Sequence, residues 1–351
     1  MRVFISADIE GTTFTTLWDE TELGHNLYAA AAKQMTAEVK AACEGAIAAG
    51  ADYILVNDAH DHAVNLDVNE LPECVEVIRG WSGSPMGMVD GVDNTFDAAM
   101  FIGYHSAAGR NGNPLSHTFT TKTTSVKLNG MVCSEFLLYS WACAMMGVPT
   151  VLLAGDKMLT EDSQGLHPKL KTVAVKDGFG AMIRCLHPKV ACDKIRTAAE
   201  EGLKQDLSDA VAKVPEHFVF ELSYKEHKTA VRMSSYPGCV LVDDRTVRFE
   251  SDDFMEVLRR KGWRVQKANN DVLSGIRLTS DCLKTGKIVI CEGCGDCLRE
   301  MEEYVWDLSG GSKDRVRKEH DHAMDDMRYF VSTVLGEKQL GFTACVVERK
   351  K

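Results

Sequence analysis

The sequence predicts an α/β fold with a parallel-sheet core, helices on both faces, a smaller second lobe and a C-terminal α+β appendage. Short apolar runs at residues 3–7, 53–56, 99–104 and 151–154 are typical of buried parallel strands. Helical patterns at residues 34–49 and 134–146 lie between these runs and are followed by Gly50 and Gly147. Strands that alternate with helices in this way indicate a parallel sheet covered on both faces.

The pattern becomes less regular after residue 160. A charged helical stretch covers residues 188–214, and apolar runs at 218–222 and 247–250 predict strands of the smaller lobe. Charge density rises after about Phe254, where the cysteine cluster Cys291, Cys294 and Cys297 also lies. A closed zinc site needs four ligands and no fourth is obvious nearby, so we interpret this spacing as a coincidence. We therefore predict two domains, residues 1–260 and 261–351.

Composition disfavours several classes of function. The 351 residues are 45% hydrophobic, enough for a sizeable core, and carry a formal net charge of -11. An acidic chain repels phosphate backbones, so we expect no nucleic-acid partner. No apolar run approaches about twenty residues, so we expect no membrane span. The N-terminal residues lack a signal-peptide pattern and the twelve cysteines suit a reducing compartment, so we expect a cytoplasmic protein.

Carboxylates and histidines follow the predicted strands. Asp8 and Glu10 follow the first strand, His60 the second and His105 the third. The carboxyl ends of parallel strands meet at one edge of a sheet, so these side chains converge. Asp8 and Glu10 are two residues apart on an extended segment, so both can face the same metal ion. Glu135, at the start of the second predicted helix, adds another carboxylate.

Each of these residues has a simpler interpretation when taken alone. An isolated Asp-x-Glu pair is usually solvated, a lone histidine after a strand usually lies at a sheet edge, and Glu135 favours a helix N-terminus. Asp58 suits a turn or the orientation of a ligand better than direct metal binding. His62 suits a loop position. The convergence of three strand ends is what favours a metal site.

The types of side chain predict the chemistry. Carboxylates and imidazoles without a thiolate suit zinc, manganese or iron. Two such ions a few Å apart would activate a water and polarise a scissile carbonyl. His117, in a loop between glycine-rich and threonine-rich stretches, could act as a general base or stabilise an oxyanion. The sequence contains no G-x-S-x-G elbow, P-loop or G-x-G-x-x-G motif.

Six spaced blocks together resemble the M55 family of metallopeptidases, the D-aminopeptidases. They are SADIEGTT, ILVNDAHD, FIGYHS, LSHTF, NGMVCSEF and LLAGD, and the match runs from Met1 to roughly Arg260. The resemblance implies that Asp8 bridges two zinc ions and that His117 is the catalytic histidine. The further zinc ligands that it implies are Glu10, His60, His105 and Glu135. Thr13-Phe14 departs from the family pattern, in which glycine is frequent, and this departure concerns the shape of the pocket.

The M55 resemblance also implies a substrate and an assembly. It implies a zinc metallo-aminopeptidase that cleaves short peptides with an N-terminal D-residue, such as D-Ala dipeptides. It implies a homo-oligomer, specifically a decamer of stacked rings in which the sites face an internal chamber. We therefore expect a small peptide as the binding partner.

The C-terminal segment resembles a different family. The pieces RRKGWRVQKANNDVLSGI, LREMEEYVWD and EHDHAMDDMRYF are similar to the end of phage large-terminase nuclease domains, which would place His322 and Asp325 at a nuclease metal site. The earlier strands that carry the other acidic residues of such a site are absent from this sequence, so we interpret the segment as a non-catalytic fragment. The alternative functions are a metal-dependent nuclease or terminase-derived DNA-processing protein, and a catalytically silent metal-binding or assembly protein.

Overall fold

The computed structural model describes residues 1–260, 271–305, 316 and 321–335. The chain forms two compact units, Met1–Trp263 and Arg264–Lys351. The first unit contains two β-sheets and their helices, whereas the described elements of the second unit are helical. Among the helices in the described ranges, none has the length and apolar character needed to cross a membrane.

Strands occur throughout the first unit. In chain order they are β1 (Arg2–Ala7), β2 (Tyr53–Asp58), β3 (Val75–Ile78), β4 (Ala98–Tyr104), β5 (Thr123–Leu128), β6 (Met131–Val132), β7 (Thr150–Asp156), β8 (Lys171–Phe179), β9 (Met182–Cys185), β10 (Phe218–Tyr224), β11 (Cys239–Leu241) and β12 (Thr246–Ser251).

Helices occur in both units. In chain order they are α1 (Tyr28–Ala48), α2 (Glu135–Met145), α3 (Lys157–Asp162), α4 (Pro188–Leu203), α5 (His227–Ser234), α6 (Phe254–Arg260), α7 (Val272–Lys284), α8 (Gly295–Glu303) and α9 (His322–Phe330).

The larger sheet has seven strands in the order β3-β2-β1-β4-β7-β8-β9 and is parallel except for the final β8–β9 pair. The register pairs Ala7 with both Asp58 and Ile102, so β1, β2 and β4 end at one edge. This arrangement confirms the predicted parallel-sheet core and aligns the segments that carry Asp8, His60 and His105.

Both faces of the larger sheet are covered. One face packs against α2 and the second sheet, with Phe4, Phe101 and Phe136 in the same core. The opposite face packs against α1 and α4, with Ile5 and Met35 in a second core. Burial of apolar surface is the main force that holds such layers together. The central strands are buried on both faces, which explains why they are apolar along nearly their whole length.

The smaller lobe is an antiparallel sheet of five strands in the order β11-β12-β10-β5-β6. The predicted strands at 218–222 and 247–250 correspond to β10 and β12, which pair with each other. The threonine-rich stretch after His117 leads into β5, a strand that was not predicted and that pairs with β10. Alternating burial along β5 leaves threonine and lysine side chains exposed, and this polar face conceals the strand from an apolar pattern.

Other boundaries also differ from the prediction. The helix predicted over residues 188–214 is shorter and ends at Leu203, since Asp206 accepts a hydrogen bond from the Ser208 amide in a turn. The elements in the described part of the C-terminal unit are helical, with Val316 in a β-bridge, and the β component expected there stays a prediction. Parts of the terminase-like pieces, at residues 261–270, 306–307 and 319–320, lie outside the described residues, whereas His322 and Asp325 lie on α9.

His167 lies in the loop that connects α3 to β8 and is buried beside the ring of Phe136, at a centroid distance of 5.8 Å. Burial lowers the pKa of His167 to about 4. Since the unfolded value is about 6.5, the unfolded chain binds the proton more tightly. The neutral ring therefore makes its full contribution to the free energy of unfolding above pH ~6.5, and this contribution is lost as the pH falls towards 4.

We predict that His167→Leu removes this share of the acid sensitivity. Between pH 6.5 and 4, the unfolding free energy of the wild type should fall by about 3 kcal/mol more than that of the variant. Urea denaturation at a series of pH values measures the difference. Parallel pH profiles for the two proteins would contradict the assignment.

Candidate metal centre

The segment that follows β1 is held directly against the end of β4. The Gly11 amide donates a hydrogen bond to the Gly103 carbonyl at 2.7 Å, and the Asp8 amide donates to the Ile102 carbonyl at 2.9 Å. A Cβ atom on Gly11 would lie 1.8 Å from the Tyr104 carbonyl oxygen. Gly103 has a φ of +75°, and a Cβ atom there would lie 2.1 Å from the Asp8 carbonyl oxygen. Only glycine permits this approach, which brings Asp8 close to the residue after Tyr104.

Asp8, Glu10 and His60 form one group of possible metal ligands. His60 Nδ1 lies 3.3 Å from Asp8 Oδ1 and 2.9 Å from Glu10 Oε2. The other ring nitrogen, Nε2, lies 2.8 Å from the Thr21 carbonyl oxygen. A carbonyl only accepts hydrogen bonds, so Nε2 carries the proton and the Nδ1 lone pair of neutral His60 faces the two carboxylates.

Asp8, His105 and Glu135 form a second group. His105 Nε2 lies 3.5 Å from Asp8 Oδ2 and 3.4 Å from Glu135 Oε2. Its Nδ1 lies 3.0 Å from the Ser106 carbonyl oxygen, so in neutral His105 the Nε2 lone pair is the one that faces the carboxylates. Asp8 belongs to both groups, and its two oxygens face different histidines.

The residues fit a bound cation. Asp8 Oδ2, Glu10 Oε2 and His105 Nε2 are buried and have no hydrogen-bond partner among the described residues. Zinc bonds of about 2.0–2.2 Å in tetrahedral geometry separate neighbouring ligand atoms by roughly 3.3–3.6 Å. The separations across the two groups, 2.9–3.5 Å, are close to that range. The lone pairs therefore converge as ligands of a metal do.

The electrostatics of the cluster also favour a cation. Burial, together with the charge of Glu10, raises the pKa of Asp8 to about 8. Burial opposes the charged form of His105, but Glu135 and Asp8 outweigh it and raise the pKa of His105 to about 10. Burial likewise opposes ionisation of Glu135, yet the neighbouring His105 ring, 3.4 Å away, holds the pKa of Glu135 below its usual value. Three buried carboxylates thus compete for positive charge.

His117 lies beside the second group. Its Nε2 is 3.8 Å from Glu135 Oε1, and its ring stacks on that of His105 at 4.3 Å with an interplanar angle of 12°. Its Nδ1 is 2.9 Å from the Leu115 carbonyl oxygen, so the basic nitrogen of neutral His117 is Nε2. The ring of Trp18 packs edge-on against His117 at 5.4 Å. The sequence-predicted residues His117, His105 and Glu135 are therefore neighbours.

Asp58 and His62 lie outside the ligand groups. Asp58 accepts hydrogen bonds from the Asn65 amide, the Asn65 side chain and the Leu66 amide at 2.5, 2.7 and 2.9 Å. His62 is exposed and lies 2.5 Å from Asp61 Oδ2. Asp58 therefore shapes the loop that carries His60, which agrees with the preference for a structural role.

Several supporting residues were missed by the sequence analysis. Lys176 is buried, and its Nζ donates hydrogen bonds to the carbonyl oxygens of Glu10 and Thr15, both at 2.5 Å. Burial lowers the pKa of Lys176 to about 8. Asn113 also donates to the Glu10 carbonyl, at 2.9 Å. A single lysine on β8 belongs to no motif, so the sequence offers no signal for this support.

Asp156 is another supporting residue. The sequence contained a signal for it, because Asp156 is an acidic residue just after the predicted strand at residues 151–154. It ends β7 at the same edge of the sheet as the ligands. Its side chain accepts hydrogen bonds from the Ser106 amide at 2.6 Å and from the Leu159 amide at 2.9 Å. Asp156 therefore fixes the residue after His105 while it caps α3.

A cavity of about 430 Å³ opens onto the ligand groups. Its walls combine side chains of the candidate ligand groups, two tryptophans and two further acids. The lining residues are Asp8, Glu10, Trp18, Thr21, Glu22, Ala59, His60, Asp61, Trp81, Met88, His117, Phe119, Glu135 and Tyr139.

Two relatives resemble the first unit over most of their own lengths. The D-aminopeptidase of Bacillus subtilis (strain 168) is 27% identical over 260 residues, which cover 73% of this chain and 93% of that protein. The solved structure of the Zn-dependent D-aminopeptidase DppA from Bacillus subtilis, described as a self-compartmentalizing protease, matches with a TM-score of 0.69 and 25% identity. That match covers 74% of this chain and 95% of the DppA chain.

The predicted terminase resemblance of the C-terminal segment stays a prediction. The large terminase of a thermophilic bacteriophage matches with a TM-score of only 0.21, over 35% of this chain, which supports no conclusion. The M55 peptidase model, described as D-aminopeptidase, matches residues 1–261. The fold, the cluster geometry and this match over most of the chain agree, and the chain belongs to the M55 D-aminopeptidase family.

Proposed function

We propose that this protein is a dizinc aminopeptidase that hydrolyses short peptides with an N-terminal D-residue, of the D-Ala dipeptide type. The observation that carries the proposal is the position of Asp8, whose two oxygens face two different histidines in two groups of ligands. A carboxylate so placed suits a bridge between two ions. The Zn-dependent relative DppA supports zinc as the metal and peptides as the substrate.

In this proposal Asp8 is shared, Glu10 and His60 complete one zinc site, and His105 and Glu135 complete the other. The carbonyl oxygens of Thr21 and Ser106 orient the two imidazoles through their second nitrogens. Bound zinc would supply Lewis acidity for the scissile carbonyl and lower the pKa of the attacking water. The ligand residues themselves hold the reacting groups in place and take no part in proton transfer.

His117 is the proposed proton carrier. Its Nδ1 proton is engaged by the Leu115 carbonyl, which leaves Nε2 to accept a proton from the attacking water and to deliver it to the leaving amine. Packing against Trp18 and His105 limits rotation of the ring. Its position beside Glu135 keeps Nε2 next to the second ligand group.

The assembly and location are also proposed by likeness. The relative DppA is described as self-compartmentalizing, which supports a homo-oligomer here, and the family resemblance suggests a decamer. A closed chamber would admit small peptides and exclude folded proteins. We propose a cytoplasmic location on the basis of the sequence pattern alone.

The first prediction from this proposal concerns the shared carboxylate. After dialysis, the wild type should retain about two zinc ions per chain, His60→Ala about one, and Asp8→Ala almost none, because only Asp8 serves both groups. Elemental analysis measures these contents. His62→Ala is the matched control and should retain the wild-type content. If Asp8→Ala still retained about two ions, a bridging role would be wrong.

The second prediction separates catalysis from metal binding at His117. His117→Ala should lower turnover of D-Ala-D-Ala by about 10²–10⁴-fold, which is typical of a lost general base, with zinc content unchanged. The exposed His217→Ala is the control and should retain full turnover. Because Glu10, His105 and His117 also form a close group, loss of zinc in His117→Ala would make His117 a ligand instead.

The third prediction tests the nuclease alternative. A chain that ends at Arg260 should retain zinc and peptidase activity, and the full chain should not cleave DNA. In the described part of the tail, no three ligand side chains lie close enough to hold a metal ion, and phosphodiester cleavage by two metals needs several carboxylates. Manganese-dependent cleavage of DNA by the full chain, abolished by Asp325→Ala, would instead favour the nuclease.

A further inference from the structure

The rim of the cavity carries negative charge that metal binding does not use. Five carboxylates line the cavity, and three of them belong to the proposed zinc sites. The other two, Glu22 and Asp61, are exposed. Among the described residues that line the cavity there is no lysine or arginine. This wall therefore provides no full positive charge to attract a negative substrate.

Both rim acids are sequence neighbours of residues in the candidate metal centre. Asp61 directly follows His60, and Glu22 directly follows Thr21, whose carbonyl oxygen lies 2.8 Å from His60 Nε2. Within the described ranges, the two acids pair with exposed histidines. His25 Nε2 lies 3.3 Å from Glu22 Oε2, and His62 Nδ1 lies 2.5 Å from Asp61 Oδ2. Neither histidine lines the cavity, so the two carboxylates are the groups that the rim presents to a substrate.

Two tryptophans complete the rim. Trp81 Nε1 donates a hydrogen bond to the Asp61 carbonyl oxygen at 2.6 Å, so the indole is fixed to the backbone of the residue that carries the carboxylate. Trp18 packs against His117 and also lines the cavity. Both indoles are partly exposed, at 37% and 45% for Trp18 and Trp81. An aromatic face beside a carboxylate favours ammonium and guanidinium groups and disfavours anions.

The route of the substrate determines which of its residues meets this rim. If the proposed function holds, the scissile bond lies at the buried ligand groups and only one residue precedes it. The chain after the scissile bond must then leave through the opening, past Trp18, Trp81, Glu22 and Asp61. His117, which delivers the proton to the leaving amine, contacts Trp18 and so lies on this outgoing side.

We propose that Glu22 and Asp61, with Trp18 and Trp81, select the residue after the scissile bond, favouring cationic or uncharged groups over carboxylates. This inference rests on the proposed aminopeptidase function and specifies its substrate class. A free dipeptide presents its own C-terminal carboxylate at the rim. Its amide, or a longer peptide, is therefore the better substrate.

The test compares kcat/KM at pH 8 for D-Ala-D-Lys-NH2, D-Ala-D-Gln-NH2 and D-Ala-D-Glu-NH2, and for D-Ala-D-Ala against its amide. In the zinc-loaded full chain we expect the lysine peptide to exceed the glutamate peptide by about tenfold or more. The glutamine peptide separates charge from side-chain size. The preference should weaken as salt rises to about 0.5 M, since these charges are exposed to solvent.

The matched variants are Glu22→Gln/Asp61→Asn and Glu201→Gln. Asparagine tolerates the left-handed backbone of residue 61, where φ is 46°. The double variant should reduce the lysine-to-glutamate ratio to within about threefold. Glu201→Gln removes an exposed acid of α4 that does not line the cavity, and it should keep the wild-type ratio.

The outcomes are distinguishable. A wild-type ratio near one, with peptides hydrolysed readily, would overturn the rim proposal and leave the peptidase proposal standing. An unchanged ratio in the double variant would do the same. Absence of hydrolysis of every peptide by the zinc-loaded chain would overturn the proposed function and, with it, the rim proposal.

Discussion

The contact of backbone on backbone between the ends of β1 and β4 is the constraint on which the candidate site depends. Gly11 and Gly103 leave no room for a Cβ atom, and Gly155, at the end of β7, approaches the same Tyr104 carbonyl. Three strand ends are thereby drawn together more closely than side chains would allow. Asp8 and His105 can share a site because the backbone segments that carry them are in direct contact. A larger residue at these glycines would move the two side chains apart.

Backbone carbonyls provide a second level of order. The three imidazoles of the site each direct one nitrogen to a carbonyl oxygen, of Thr21, Ser106 or Leu115, and the other towards carboxylates. Each carbonyl selects a tautomer and holds a ring plane. The metal-binding and proton-carrying roles proposed for these rings therefore depend on loops as much as on the ligands, because a shifted loop would misdirect a lone pair.

The sequence predicts the parts of the protein that follow from strong local rules. The central strands are apolar along their whole length because both faces are buried, and a side chain directly after a strand must lie at the sheet edge, as those of Asp8 and His105 do. Strand β5 escaped prediction because one face is polar. Lys176 and the rim residue Trp81 escaped because their roles arise only when distant segments meet, and no local pattern encodes that meeting.

The choice of ring nitrogen at His60 and His105 has a consequence for substitution. His60 presents Nδ1, close to its own backbone, whereas His105 presents Nε2, one atom further out. An asparagine amide reaches about as far as Nδ1, and a glutamine amide about as far as Nε2. The tolerable replacements therefore differ: a short amide suits position 60 and a long one suits position 105. With the two amides exchanged, asparagine would fall short of the site at position 105, and glutamine would be too long at position 60.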